Sequence, residues 1–350
     1  MNDIATLRLC SHLLTPHSLK TPREVVAWMG AVQAQDYGMA KWAVGVRLPG
    51  VTDMQVENAL NRGEIIRTHI MRPTWHIVAV EDAQWLMQLT APRIKPVLES
   101  YDKRNAGLSA ATLLKATDIM LRALQDGNHL TRIALCRAVN EAGVALDSRQ
   151  AAHALFHAEL DGLVCSGAVA NGKQTYRLFR EVAPSSPPLG RDEALAKLAV
   201  KYFRSHGPAS AYDFAWWSGL TVGEAKRAIA IIKQDVAFEE FREQQYAYRC
   251  AASAPTGKSN ATFLLPAFDE FLVAYRDRTD VLDTAHHSKI ISSNGIFKPL
   301  ILHNAKVVGA WKKFSSKGNV EVKAACFSPP DSALQKAISK ATATFKNFAP

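Results

Sequence analysis

The stretch "SRQAAHALFHAELDGLVCSGAVANGKQTYRLF" (residues 148–179) sets how the whole chain is parsed. Its first half is apolar at helical spacing, with Ser148 a suitable N-cap. Its second half is two short strand-like segments around an Asn-Gly turn, Asn171-Gly172. Two more helices precede it. Leu113, Leu114, Ile119, Met120, Leu121 and Leu124 recur at helical spacing until "QDGNHLT" breaks the pattern, and "RIALCRAVNEAG" then runs to Gly143. Three helices followed by a hairpin are the parts of a winged helix.

The same phrase occurs twice more. Toward the N-terminus, "TPREVVAWMGAV" has Thr21 as a cap and Pro22 in its first turn, and is expected to end near Val32. "TDMQVENALNRG" follows, and then "EIIRTHIMRPTWHIVAV", whose β-branched residues suit two strands. Beyond the Pro/Ser-rich "APSSPPLG", "DEALAKLAVKYFRSHG", "SAYDFAWWSGL" and "TVGEAKRAIAIIKQ" are helical, and "VAFEEFREQQYAYRC" is a hairpin. After "SAPTGKSN" the segments "ATFLLPAFDEFLVAY", "GIFKPLILHNAKVVGAWKKF" and "NVEVKAACF" look like strands, and "SALQKAISKATATFKNF" a basic amphipathic helix. The expected fold is α+β and mainly helical: three tandem winged-helix units with a C-terminal β-rich element. Their spans are 1–105 (carrying a Gln-x-Gln pair), 106–183, 191–255 and 256–350, with a linker at 184–190.

With 350 residues and 48% hydrophobic content, the chain can bury several cores. The five cysteines lack CxxC spacing, which speaks against zinc and disulfides and suits a reducing cytoplasm. No long apolar run suggests a membrane span or a secretory leader. The formal charge is +10, and ten lysines against two acids between Thr284 and Pro350 place +8 of it there. Such a basic segment beside helix-turn-helix units points to double-stranded DNA. The candidate recognition helices carry few Arg, Lys or Asn, unlike those that read base edges. They suit scaffolding better than operator binding.

Gln33-Ala34-Gln35 lies where the first of these helices gives way. Residues i and i+2 diverge on an α-helix but share a side in extended chain, so the pair can converge there. Capping and loop hydrogen bonding is the plainer role for polar residues at a helix end.

Four blocks resemble the winged-helix DNA-binding family that includes the AlkZ-type DNA glycosylases. They are "AVQAQDYGMAKWAVGVRLPG", "IIRTHIMRPTWHIVAVEDAQWLMQLTAPR", "LLPAFDEFLVAYRDRTDVLD" and "NGIFKPLILHNAKVVGAWKK". The resemblance implies tandem winged helices around a DNA-accommodating cleft. It also implies hydrolysis of the bond between sugar and alkylated purine, bulky adducts and interstrand crosslinks included. Gln33 and Gln35 match the family's Gln-x-Gln catalytic motif, and His76 matches a recurrent position; some relatives have Gly where this chain has Pro73. An N3- or N7-alkylated purine is a cationic leaving group and needs no strong acid. Two amides that orient a water suffice in principle. The expected activity is a monofunctional DNA glycosylase for base excision repair, without cofactor or metal, acting as a monomer in the cytoplasm at the nucleoid. The alternative is a non-catalytic DNA-binding protein or transcriptional regulator.

Further cleft or DNA-binding candidates are Asp36, adjacent to the pair, and Arg67, His69 and Arg72, with Arg67 or Arg72 gripping a phosphate. Lys312, Lys313 and Lys317 are expected near the turn of a hairpin that touches DNA. Structural roles are the alternatives throughout. Asp269, Glu270, Asp277, Asp280 and Asp283 read as surface and structural acids, and Trp216-Trp217 as core.

Overall fold

The computed structural model describes residues 4–102, 104, 107–183, 187–241, 243–249, 261–316 and 319–349. After α1 (Ile4–Ser11), the chain forms α2 (Pro22–Met29), β1 (Val32–Gln33), α3 (Tyr37–Gly45), α4 (Asp53–Asn61), β2 (Ile65–Ile70) and β3 (Thr74–Ala79). The long helix α5 (Val80–Tyr101) leads on to α6 (Ala110–Ala123), β4 (Leu130–Thr131), α7 (Arg132–Glu141), α8 (Ser148–Leu160), β5 (Val164–Ser166) and β6 (Thr175–Leu178). Next come α9 (Arg191–Ser205), α10 (Ala211–Ser218), α11 (Val222–Ile231), β7 (Ala237–Phe241) and β8 (Gln244–Tyr248).

These elements repeat one topology. Helix, strand, helix, helix and two strands follow each other, and the first strand pairs with the last. The orders are β1-β3-β2 and β4-β6-β5. In the third copy a single bridge, Ala209 to Ala247, takes the place of the first strand beside β8. All pairings are antiparallel. The Asn-Gly turn forms as expected, with Asn171 and Gly172 at φ +50° and +71°. Asp147, not Ser148, caps α8, because it forms a capping box with Gln150. Helix α2 stops at Met29 instead of near Val32, since Val32 joins β3 opposite Ile77.

The last segment comprises β9 (Thr262–Leu265), α12 (Glu270–Val273), α13 (His287–Ile290), β10 (Leu300–His303), β11 (Lys306–Ser316), β12 (Asn319–Cys326) and α14 (Ser332–Phe348). The strands form one sheet, β12-β11-β10-β9. "DEFLVAY" does not continue a strand, as its apolar run suggested. The Asp269 carboxylate accepts the Phe271 N–H and starts a helical turn.

The sheet of the first unit is buried on both faces. Ile66, Ile70 and Val78 face α5, α9 and α10, while Val32, Ile65 and Ile77 face α2 to α4. Helix α14 closes the second of these cores. Phe345 and Phe348 lie 5.1 and 5.0 Å from the Trp42 ring, and the Trp42 indole donates to Leu264 O at 2.6 Å. Arg47 and Asp269, both buried, form two 2.8 Å hydrogen bonds. The C-terminal segment is thereby tied to the first unit by charge as well as by packing.

Asp269→Ala would leave the Arg47 guanidinium buried and uncompensated. A loss of about 3–5 kcal/mol is expected in urea unfolding. A loss below about 1 kcal/mol would show that Arg47 finds another partner or water.

Candidate active site

Strand β1 is short and lies at a sheet edge. Gln33 sits opposite His76 in the ladder, and Ala34 N donates to Trp75 O at 2.7 Å, so the extended path continues past the strand. Gln33 and Gln35 therefore project to the same side, as the extended reading expected. The backbone N–H of Gln33 donates to Glu270 Oε1 at 2.7 Å. That carboxylate closes the edge.

Gln33 is buried and Gln35 exposed. The Gln33 side-chain oxygen accepts Arg72 Nη2 at 2.9 Å, and that of Gln35 accepts the backbone N–H of Trp75 at 3.2 Å. Each oxygen keeps a second lone pair. Arg72 is half-buried in the turn between β2 and β3, and burial lowers its pKa. The turn is held against the end of α10. A Cβ on Gly219 would come within 2.9 Å of Met71 O, so only glycine permits this approach.

His76 is fully buried beside the pair. Its Nδ1 donates to Thr74 O at 3.0 Å, which leaves the lone pair on Nε2, an atom without a hydrogen-bond partner among the described residues. Burial, with the Arg72 charge second, pushes its pKa down to about 4. Glu270 is the anion of this group. Burial alone would raise its pKa, but His206, His76 and Arg72 outweigh burial and hold it below the ordinary value. Its second oxygen accepts the Trp217 indole N–H at 3.0 Å.

Other expected residues lie elsewhere. Arg67 and His69 alternate with the His76 face and point to the opposite side of the sheet. Both are buried. Arg67 donates to Ala34 O at 3.0 Å and stacks 3.9 Å over Trp75. His69 pairs with buried Glu159 at 2.6 Å and stacks on Phe156. Asp36 is exposed, and its carboxylate caps α3 through Met39 N. Lys312 and Lys313 are exposed but stand within β11, opposite Lys323 and Val322, and not at the turn. Lys317 lies outside the described residues. A cavity of about 430 Å³ brings Lys313, Asp36 and Asp53 together beside Phe345.

Three features were missed or misplaced. Asp269, Glu270 and Asp280 are buried, whereas only Asp277 and Asp283 are surface acids. The usable signal was composition: "FLLPAFDEFLVAY" sets two acids in an otherwise apolar run, which requires cationic partners inside the fold. Trp217 is core, but Trp216 is 42% exposed, with its indole N–H held by Val273 O. Arg278 approaches that exposed ring.

Among the described residues no helix is long and apolar enough to cross a membrane. The family described as "DNA glycosylase AlkZ-like" matches this chain over residues 26–348. The chain is 23% identical over 324 residues to the interstrand DNA cross-link repair glycosylase of Streptomyces sahachiroi, covering 87% of this chain and 85% of that protein. It is similar in fold to the solved structure of the Streptomyces sahachiroi DNA glycosylase AlkZ, with a TM-score of 0.78 and 20% identity. That likeness covers 99% of this chain and 95% of the other.

The buried His76 ring has a consequence for stability. The unfolded chain takes up a proton on this ring below about pH 6.5, while the folded ring stays neutral to about pH 4. Stability should therefore fall as pH drops through that window, by up to roughly 3 kcal/mol from this residue. Unfolding free energies of His76→Gln and wild type across pH 4–7 should converge at the acid end. Parallel curves would contradict the assignment.

Proposed function

We propose that this chain, which belongs to the AlkZ-like DNA glycosylase family, hydrolyses the N-glycosidic bond of cationic N3- or N7-alkylated purines in duplex DNA. Gln33 and Gln35 would position the attacking water. The observation that carries the reading is the Gln-x-Gln pair on one side of an extended segment. Its first member is fixed from both ends, by Glu270 at the backbone and by Arg72 at the side-chain oxygen.

The chemistry asks little of the protein beyond positioning. The bond between C1′ and the purine nitrogen breaks, and the departing base takes the electron pair and its positive charge is neutralised. The sugar becomes oxocarbenium-like. Water held by the remaining lone pairs of the two amides adds to C1′ and loses its proton to solvent. Amide oxygens lower the energy of the developing cation without competing for a proton. The buried Glu270 charge behind Gln33 acts in the same sense, and Arg72 keeps the Gln33 amide from turning. Neutral purines, which leave poorly without an acid, are not substrates on this reading. No lysine takes part, so the product is an intact strand with an abasic site.

We read the three repeated units as winged helices that serve as scaffold, with β11 and β12 presenting Lys312 and Lys323, cross-strand neighbours on one face, to the DNA backbone. The relative named for interstrand DNA cross-link repair supports interstrand cross-links as further substrates.

Single-turnover release of 7-methylguanine from duplex DNA tests the reading. Wild type should release it and leave unmodified guanine in place. Gln35→Ala should slow release by about 10²-fold or more, the usual effect of removing one such group, with DNA affinity within about threefold. Wild-type release by the folded variant would remove Gln35 from the mechanism. Salt-dependent binding without release from any alkylated duplex would make the protein a non-catalytic DNA binder.

A further inference from the structure

Beside the glutamines lies a cluster of which the steps above use only Arg72. The Trp216 ring is 42% exposed, and its indole N–H is anchored on Val273 O at 2.9 Å, so the ring is held in one orientation. Two guanidinium groups flank it, Arg72 at 5.9 Å and Arg278 at 5.3 Å from the ring centre. Arg278 is itself held by donation to Leu272 O at 3.0 Å and Arg276 O at 3.2 Å. Arg72 Nε and Arg278 Nη2 are buried and have no hydrogen-bond partner among the described residues. Burial first, and the neighbouring Arg72 charge next, lower the Arg278 pKa to about 10.

Two like charges brought together around an aromatic ring, with donors unused, are an unfavourable arrangement for the free protein. Burying such donors without partners costs free energy that an anion would recover. An arginine pair suits the tetrahedral oxygens of a phosphate, and an exposed indole face suits a base or sugar of the same strand. Arg72 already touches Gln33, so an anion here would sit next to the catalytic pair.

We propose that Arg72 and Arg278 grip one backbone phosphate of the damaged strand, while Trp216 stacks on an adjacent nucleobase. The clamp rests on the reading of this protein as a DNA-acting enzyme and deepens it. It assigns the local strand contact that sets the scissile sugar over Gln33 and Gln35.

The experiment measures binding to a duplex with a stable abasic analogue over a range of salt, for wild type, Arg278→Gln, Arg278→Lys and Trp216→Ala. Unfolding midpoints confirm that each variant is folded. Arg278→Gln should weaken binding about tenfold and lower the slope of log affinity against log salt by about one, the mark of one lost phosphate contact. Arg278→Lys should restore the slope. Trp216→Ala should weaken binding at least fivefold with the slope unchanged, since stacking carries no counterion release. An unaltered slope in folded Arg278→Gln, or wild-type affinity in Trp216→Ala, would overturn the clamp. Should Arg278→Gln not fold, Trp216→Ala and Arg278→Lys decide alone. Saturable binding of inorganic phosphate that depends on Arg278, without any change in the DNA slope, would assign the site to free phosphate and also overturn it. The readout is binding, so it separates two failures. A wild type that releases no base but shows the slope change keeps the clamp and loses the glycosylase chemistry. Base release with an unchanged slope does the reverse.

Discussion

The arrangement of the candidate site hangs on one hydrogen bond, from the Gln33 backbone N–H to the buried carboxylate of Glu270. A carboxylate taken out of water costs several kcal/mol, and it persists only where fixed donors and cations offset that cost. Glu270 has them from three directions. Gln33 comes from the first unit, the Trp217 indole from the third, and His206 from the end of α9 at 3.6 Å. Hydrogen bonds to a charged group contribute about 1.5–3 kcal/mol each, so those from Gln33 and Trp217 offset a penalty of that size. The site is thus a junction of three parts of the chain, and its geometry is as rigid as their packing.

The same logic recurs around it. Asp269 is neutralised by Arg47, and Arg8 reaches Asp280 at 3.8 Å while lying 3.7 Å over the Tyr275 ring. His12 bonds the Tyr275 hydroxyl at 2.7 Å, and Ser11 donates to Gly207 O at 2.6 Å. Helix α1 therefore braces the third unit and the α12 turn together. The catalytic proposal needs a neutral pair of amides with an anion behind and cations beside it. Buried Glu270 and half-buried Arg72 supply those charges without exposing an acid or base to a substrate that requires neither.

Much of the architecture was legible from short-range signals. The cap at Thr21, the Asn171-Gly172 turn and the period of α14 all act within a few residues, and each produced its element. The extended path that sets Gln33 and Gln35 on one side was legible for the same reason, because extended chain alternates its side chains. What could not be read locally was long-range. Whether α2 ended at Met29 or Val32 depended on β3, more than forty residues on. Arg67 and Arg72 looked alike in sequence, but strand register and a turn sent them to opposite faces. The acids of "FLLPAFDEFLVAY" looked like surface because their partners, Arg47 for Asp269 and the Gln33 N–H and Trp217 indole for Glu270, come from distant segments. Trp216 and Trp217 differ only in which side of α10 they occupy.

On the proposed mechanism, Glu270 holds Gln33 in its working position. The most direct test is the single-turnover rate of 7-methylguanine release at saturating Glu270→Ala, with DNA affinity measured in parallel and Glu270→Gln as the conservative partner. The folded alanine variant should bind DNA normally but release base at least about tenfold more slowly, with partial recovery in Glu270→Gln, whose amide oxygen still accepts the Gln33 N–H. A folded Glu270→Ala protein that releases base at the wild-type rate would contradict it.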